Sequence, residues 1–293
     1  MRALIAGAVI LIVAGTVALG YEGSIVFQGG HGAKALGMGG AFTALADDAM
    51  TALWNPAGLS FVESEVWLGG ATSKLFGMVP FQYLAGGYSF GEFAVGFAWS
   101  NAVAGSQYTA SLYAGSISLK LGDLGAIGAS VKFYSETIAG STETGVGFDL
   151  GILVPVTPEI AVGVVAKDVG GTAIGNGTVS SVYGAGFGLR LLDGTLVVAA
   201  DVSLDGDLKP LNLGAGVELV VIDNLSLRAG ITAPEIAFSD LSWRVGAGFA
   251  ISGLHLDAAY VLGNGLGSSV VISATFMFQQ LFAPRTPEIE PTR

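Results

Sequence analysis

Between residues 240 and 252 the chain alternates almost without a break. Leu241, Trp243, Val245, Ala247, Phe249 and Ile251 are apolar, while Asp240, Ser242, Arg244, Gly246, Gly248 and Ser252 are polar or tiny. A period of two marks a strand whose two faces meet different surroundings. The same pattern returns at 145–154, where Val146, Phe148, Leu150, Ile152 and Val154 oppose Gly147, Asp149 and Gly151, and again at 195–204, 211–221, 225–233, 254–262 and 269–279. A soluble sandwich points its large residues inward and shows Lys and Glu to water. Here the large apolar residues oppose Gly, Ser, Ala and an occasional charge, which suits lipid outside and a narrow polar or plugged lumen inside.

Composition agrees. Of 293 residues 52% are hydrophobic and 12% charged, against about a quarter charged in an ordinary soluble domain, and apolar content this high also excludes a disordered chain. Residues 1–20 carry Arg2, an apolar run over 3–19, and Ala18 and Gly20 ahead of Tyr21. That is the layout of a secretory signal peptide removed after Gly20, and an uncleaved anchor helix is the alternative. No apolar run of about 18 residues follows, so the hydropathy does not come from spanning helices. With no cysteine, lipoprotein attachment, disulfides and thiolate metal sites are excluded.

Strands are expected to begin near Val66, Gln82, Glu92, Gln107, Gly125, Gly145, Glu159, Ser181, Thr195, Leu211, Leu225, Asp240, Leu254 and Ser269, about fourteen and an even number, as bacterial barrels require. Alternate junctions are tight, as at Gly91-Glu92, Asp193-Gly194 and Ser252-Gly253, and the others look longer, over 135–144, 168–180, 205–210 and 234–239. The expected fold is all-β: a transmembrane antiparallel β-barrel of about 14 strands over 65–280, in the bacterial outer membrane with both termini periplasmic. A Pro-rich periplasmic tail would follow at 281–293.

Residues 21–64 do not alternate. They read as a glycine-rich loop, one or two short helical turns around 41–53, and a break at Asn55-Pro56. Too apolar for a free tail and too short for a domain, the segment is expected to pack inside the barrel mouth. Over residues 32–59 the run G-A-K-A-L-G-M-G-G-A-F-T-A-L-A-D-D-A…W-N-P-A-G-L resembles the N-terminal signature of the FadL-type outer-membrane transport superfamily, especially its shorter PorV/PorQ-like members. The resemblance implies that 21–64 is an N-terminal hatch, or plug, at the periplasmic side of the lumen. On that resemblance Gly37, Gly39, Gly40, Asp47, Asp48, Asn55, Pro56, Ala57 and Gly58 are the expected hatch or gate residues. The chain's compact size and short outer loops depart from the large external capture groove of the fatty-acid transporters.

Inward positions of the wall carry Lys132, Asp149, Lys167, Arg190, Asp201, Glu218, Arg228, Arg244 and Asp257. These charges either pair with one another and the hatch or form a polar track. Asp47 and Asp48 either latch the hatch to Arg228 or Arg244 or sit in a solvated turn. Gly69-Gly70 and Gly86-Gly87 interrupt strands of poor alternation, where the wall is expected to bulge or kink. In the resembled transporters an early kink makes a lateral exit, placed here at Gly86 and Gly87, and close packing on the hatch is the other reading.

Catalytic chemistry is not expected. His31 and His255 lie in unrelated segments and make no metal site. Gly30-x-Gly32 lacks the strand and helix of a dinucleotide loop, Asp205-Gly-Asp207 lacks the other ligands of a calcium loop, and no Ser/His/Asp set is present in a fitting context. No cofactor is implied, and a net charge of −11 argues against nucleic acid. By resemblance, the function is passive uptake of small hydrophobic, fatty-acid-like compounds, with membrane lipid, a hydrophobic or detergent-like ligand in the lumen and the outer-membrane insertion machinery as partners. The alternative is a PorV-like, non-transporting partner of a secretion system or a surface-protein anchor.

Overall fold

The alternating segments become strands in the computed structural model, which describes Phe27 and residues 31–75, 79–262 and 267–278. The signal-peptide and tail expectations, at 1–20 and 281–293, lie outside these residues. The strands are β1 (Val66–Leu75), β2 (Val79–Phe90), β3 (Phe93–Ala104), β4 (Tyr108–Lys120), β5 (Ala126–Ile138), β6 (Ser141–Pro155), β7 (Ile160–Lys167), β8 (Thr172–Ile174), β9 (Gly177–Val179), β10 (Val182–Leu191), β11 (Leu196–Asp205), β12 (Pro210–Ile222), β13 (Leu225–Pro234), β14 (Ser242–Ile251), β15 (Leu254–Val261) and β16 (Ser269–Phe278). Fourteen of them form one closed antiparallel barrel. Each pairs with its sequence neighbours, β7 pairs with β10 across the small β8–β9 hairpin, and β1 closes on β16.

On β6, Val146, Phe148, Leu150 and Ile152 are exposed, and Gly147, Asp149 and Gly151 face inward. Ile117, Val245, Trp243 and Ile272 join the exposed set, Trp243 at 58%. Such an apolar belt matches a hydrocarbon surround. Near the rim that holds both barrel ends, aromatic rings stack along the outside: Tyr88 on Phe90 at 5.7 Å, Phe90 on Phe93 at 6.0 Å and Phe276 on Phe278 at 6.3 Å. Rings placed so form the aromatic girdle expected at a membrane interface.

Three expectations need correction. The loop over 135–144 is absent: β5 and β6 run on and turn at Ala139 (φ 50°) and Gly140 (φ 88°), positive at both central positions as a type I′ hairpin requires. Its residues are polar on both faces, which hid the strand period. Of the one or two short helical turns expected around 41–53 one falls there, but another precedes that span at α1 (Ala33–Gly37), ended by Gly39 and Gly40 at φ 72° and 78°, a conformation glycine takes without strain. A second, α2, follows at Thr51–Trp54, then a 3-10 turn at Pro56–Phe61.

Nor does the wall bulge at the paired glycines. The β1–β2 and β2–β3 registers pass unbroken through Gly69, Gly70, Gly86 and Gly87, and the irregularities fall elsewhere, at Ser203/Leu204 and Val220/Ile222. These glycines serve packing. Gly87 lies under the indole of Trp67, Gly69 under Ala49, and Gly86 between Phe97 and Leu68 on the outer face.

Candidate functional site

The inner face of the barrel is the site, and its first occupant is the chain itself. Residues 31–62 lie against wall positions where a side chain would collide. A Cβ at Gly163 or Gly186 would strike Thr43 and Ala44; at Gly214, Gly216 or Gly230, it would strike Met38 and Gly39; and at Gly128 or Gly151, Asn55, Pro56 and Ala57. Glycine on the inner face lets two backbones touch.

Direct contact leaves peptide groups needing partners, and side chains of the wall and of the segment itself supply them. Asn55 is fully buried; its Nδ2 donates to the carbonyls of Thr43 (2.9 Å) and Ile152 (3.1 Å), and its Oδ1 accepts from Ala57 N–H (3.1 Å). Asp201 accepts from Phe42 N–H at 2.9 Å and Thr43 N–H at 2.7 Å. Lys167 Nζ donates to Leu53 O at 2.8 Å and lies 5.1 Å from the Trp54 ring centroid. Thr232 donates to Gly39 O at 2.7 Å and Ser118 to Ala57 O at 3.0 Å. Of the expected gate residues, Gly37 packs on Arg228, Gly39 on the backbone of Ala215 and Ile231, Gly40 beside Arg244 and Trp54, and Gly58 on Ala46.

The wall charges form two groups. On one side Arg228 binds Glu218, its register partner on the next strand, and reaches over Gly248 to Asp257 at 2.5 Å. On the other, Lys132 sits between Asp149 (2.6 Å) and Asp168 (2.7 Å). The latch expected from Asp47 or Asp48 to Arg228 or Arg244 is not formed among the described residues: Arg228 is taken by Glu218 and Asp257, and both aspartates find other partners. Asp47 binds Lys34 at 2.8 Å and Arg190 at 3.6 Å, and Asp48 accepts Met50 N–H at 2.8 Å. Arg244 Nε is buried with no hydrogen-bond partner among the described residues. Lys34, Asp168 and Tyr134 were missed in the sequence. Lys34 lies off the alternating strands, and Asp168 follows the last residue of β7, where alternation stops.

At the chain-end rim these groups border a cavity of about 440 Å³ lined by Lys34, Asp47, Asp48, Arg190, Asp257 and the apolar Leu153. A space of this size suits a small organic molecule. The far half of the lumen is filled instead: Phe27, Phe81, Tyr83, Tyr134, Ile174 and Val179 are buried in one cluster.

Burial pushes the Asp48 carboxyl up to about 7, with Lys34 opposing and Asp47 adding to the rise. A carboxyl raised in the folded state favours its neutral form there, so its contribution to stability is fully present below pH about 4, the ordinary carboxyl range, and is lost as pH rises toward 7. We expect the thermal midpoint of the wild-type protein to fall across that window relative to Asp48→Asn. Parallel pH profiles for the two proteins would sink this expectation.

Fold and site together define an apolar-belted, fourteen-stranded barrel that holds its own N-terminal segment. No family model matches the chain, and no curated protein is similar to it in sequence. Solved structures are similar in fold. The Ralstonia pickettii toluene transporter TbuX superposes with a TM-score of 0.68 at 16% identity, covering 85% of this chain and 99% of its own. The P. putida toluene transporter TodX gives 0.64 at 14%, with the same coverage. A Pseudomonas aeruginosa FadL homologue gives 0.60 at 13%, covering 89% of this chain and 100% of its own. The chain shares the barrel fold of these proteins.

Proposed function

We propose that this chain is a non-enzymatic channel of the bacterial outer membrane for passive uptake of small hydrophobic compounds, with residues 21–64 as its hatch. The observation that carries this reading is a lumen occupied by the chain's own segment, held by hydrogen bonds to the wall and bordered by an open cavity at one rim. Toluene transporters of the same fold support the class of cargo. Balanced charges support it too, because paired cations and carboxylates impose little net field on a neutral solute. A compound adsorbs outside, passes as the hatch rearranges, and leaves through the cavity. Both termini are then periplasmic, and the partners required are membrane lipid and the outer-membrane insertion machinery.

The test is toluene uptake by proteoliposomes holding the purified barrel. Uptake well above that of protein-free vesicles is expected, and a rate equal to theirs overturns the channel. The continuous wall at Gly86-Gly87 favours the other reading, a PorV-like secretion partner or surface-protein anchor. That reading predicts co-purification with such proteins and no uptake.

A further inference from the structure

We infer that the β8–β9 hairpin is a lid across the far mouth of the barrel, latched through Asp168 and separate from the N-terminal segment. β7 pairs with β6 only from Leu150 to Pro155, so the upper part of β6 rises beyond it, and the chain leaving β7 at Asp168 turns across the lumen. The hairpin has two faces: Thr172, Ile174 and Val179 are buried, whereas Ala173, Asn176 and Thr178 are exposed. Gly145 and Gly147 of β6 leave the space into which Ile174 and Thr172 settle.

One carboxylate holds the hairpin down. Asp168 accepts from Lys132 Nζ at 2.7 Å, Tyr134 OH at 2.7 Å and Thr172 Oγ1 at 2.9 Å, and its own N–H donates to Asp149 at 2.8 Å. Ser181 ties the base of the hairpin by donating to Asp168 O at 2.7 Å and accepting from Gly171 N–H at 2.9 Å. Asp168 adopts φ 49°, a left-handed conformation that Asp and Asn tolerate, so the turn fixes where the carboxylate points. Lys132 keeps Asp149 at 2.6 Å when Asp168 lets go, so opening strands no buried cation. The N-terminal segment touches this latch at one point, where Phe27 packs edge-on against Tyr134 at 4.8 Å.

Because the chain has no cysteine, a single Ile174→Cys reports on the lid through its labelling by a membrane-impermeant maleimide. Adding Asp168→Asn, which keeps the backbone preference and removes the charge, is expected to raise the labelling rate about tenfold, the scale of one charge-assisted hydrogen bond. Tyr134→Phe raises it less and carries the test if the first variant does not fold, folding being read from heat-modifiable gel mobility. Unchanged labelling in a folded variant overturns the lid. A Cβ added at Gly175 would fall about 3.1 Å from Glu143 Cβ, so a Glu143→Cys, Gly175→Cys pair needs only a small outward shift to reach the ~3.8 Å of a disulfide; oxidised, it holds the lid shut and is expected to block uptake until reduced. Raised labelling with no toluene uptake in any variant supports the lid and overturns the channel.

Discussion

Replacing Arg228 with methionine lowers the stability of the barrel by about 3–5 kcal/mol, the cost of removing one partner from a buried ion pair. Arg228 is 8% exposed and Glu218 is 9%; without the guanidinium, Glu218 and Asp257 remain in a confined lumen with no cation bound to either. A loss this size should appear as a clear fall in the urea midpoint of unfolding, read by tryptophan fluorescence in detergent. The triple variant Arg228→Met, Glu218→Gln, Asp257→Asn removes the stranded charges and is expected to recover most of the loss. If the single variant matches wild type, the triad is not holding the wall. Since β12, β13 and β15 each supply one member, the effect belongs to the wall rather than to the N-terminal segment.

Asn55→Ala acts on the segment instead. It leaves the carbonyls of Thr43 and Ile152 and the N–H of Ala57 without their side-chain partner in a dry setting, at about 1–3 kcal/mol for each buried group left unpaired. The 3-10 turn that opens at Pro56 loses its N-terminal cap in the same step. Proteolysis within residues 31–64 of the folded barrel is expected to quicken by more than an order of magnitude while the strands remain protected. Equal cleavage rates in the two proteins would show that glycine contacts alone seat the segment. Asn55→Asp should be at least as damaging, since it exchanges the Nδ2 donor for a buried negative charge.

The two variants divide the molecule where the sequence also divides it. The wall was legible because each strand of the belt touches two media, and fourteen strands beginning near the expected residues follow from that one period. Legibility ended where the outer medium stopped being apolar. Glu136, Glu143 and the threonines around them lie on paired strands above the belt, with no hydrophobic face to announce it. The small β8–β9 hairpin was hidden for a different reason: its strands are three residues long, shorter than a period can declare.

Charges were legible as inward-facing but not as partners. Glu218 and Arg228 are a directly opposed pair, recoverable from register alone, whereas the reach from Arg228 to Asp257 depends on the missing side chain at Gly248. Asp47 illustrates the limit. Its partners come from α1 and from the end of β10, and no spacing within the segment specifies that meeting. The fold shared with the toluene transporters persists at 16% identity or less, as expected when a two-medium pattern, rather than particular residues, defines the wall.

The inner-wall glycines that receive Met38, Gly39, Thr43 and Ala44 are linked laterally around the barrel. Gly163 pairs with Gly186, Gly186 with Asp201, Asp201 with Gly214, and Gly216 with Gly230. Together they cut a channel around the circumference rather than along the axis, and the segment lies in it like a hoop in a groove. The segment is fastened along this band at several points, through Asp201 and Thr232 and also through Lys167, Ser118, Ser273 and the carbonyl of Ile152. The segment is thus moored along a band of the wall rather than hung from one point, so freeing either of its ends leaves the rest in place.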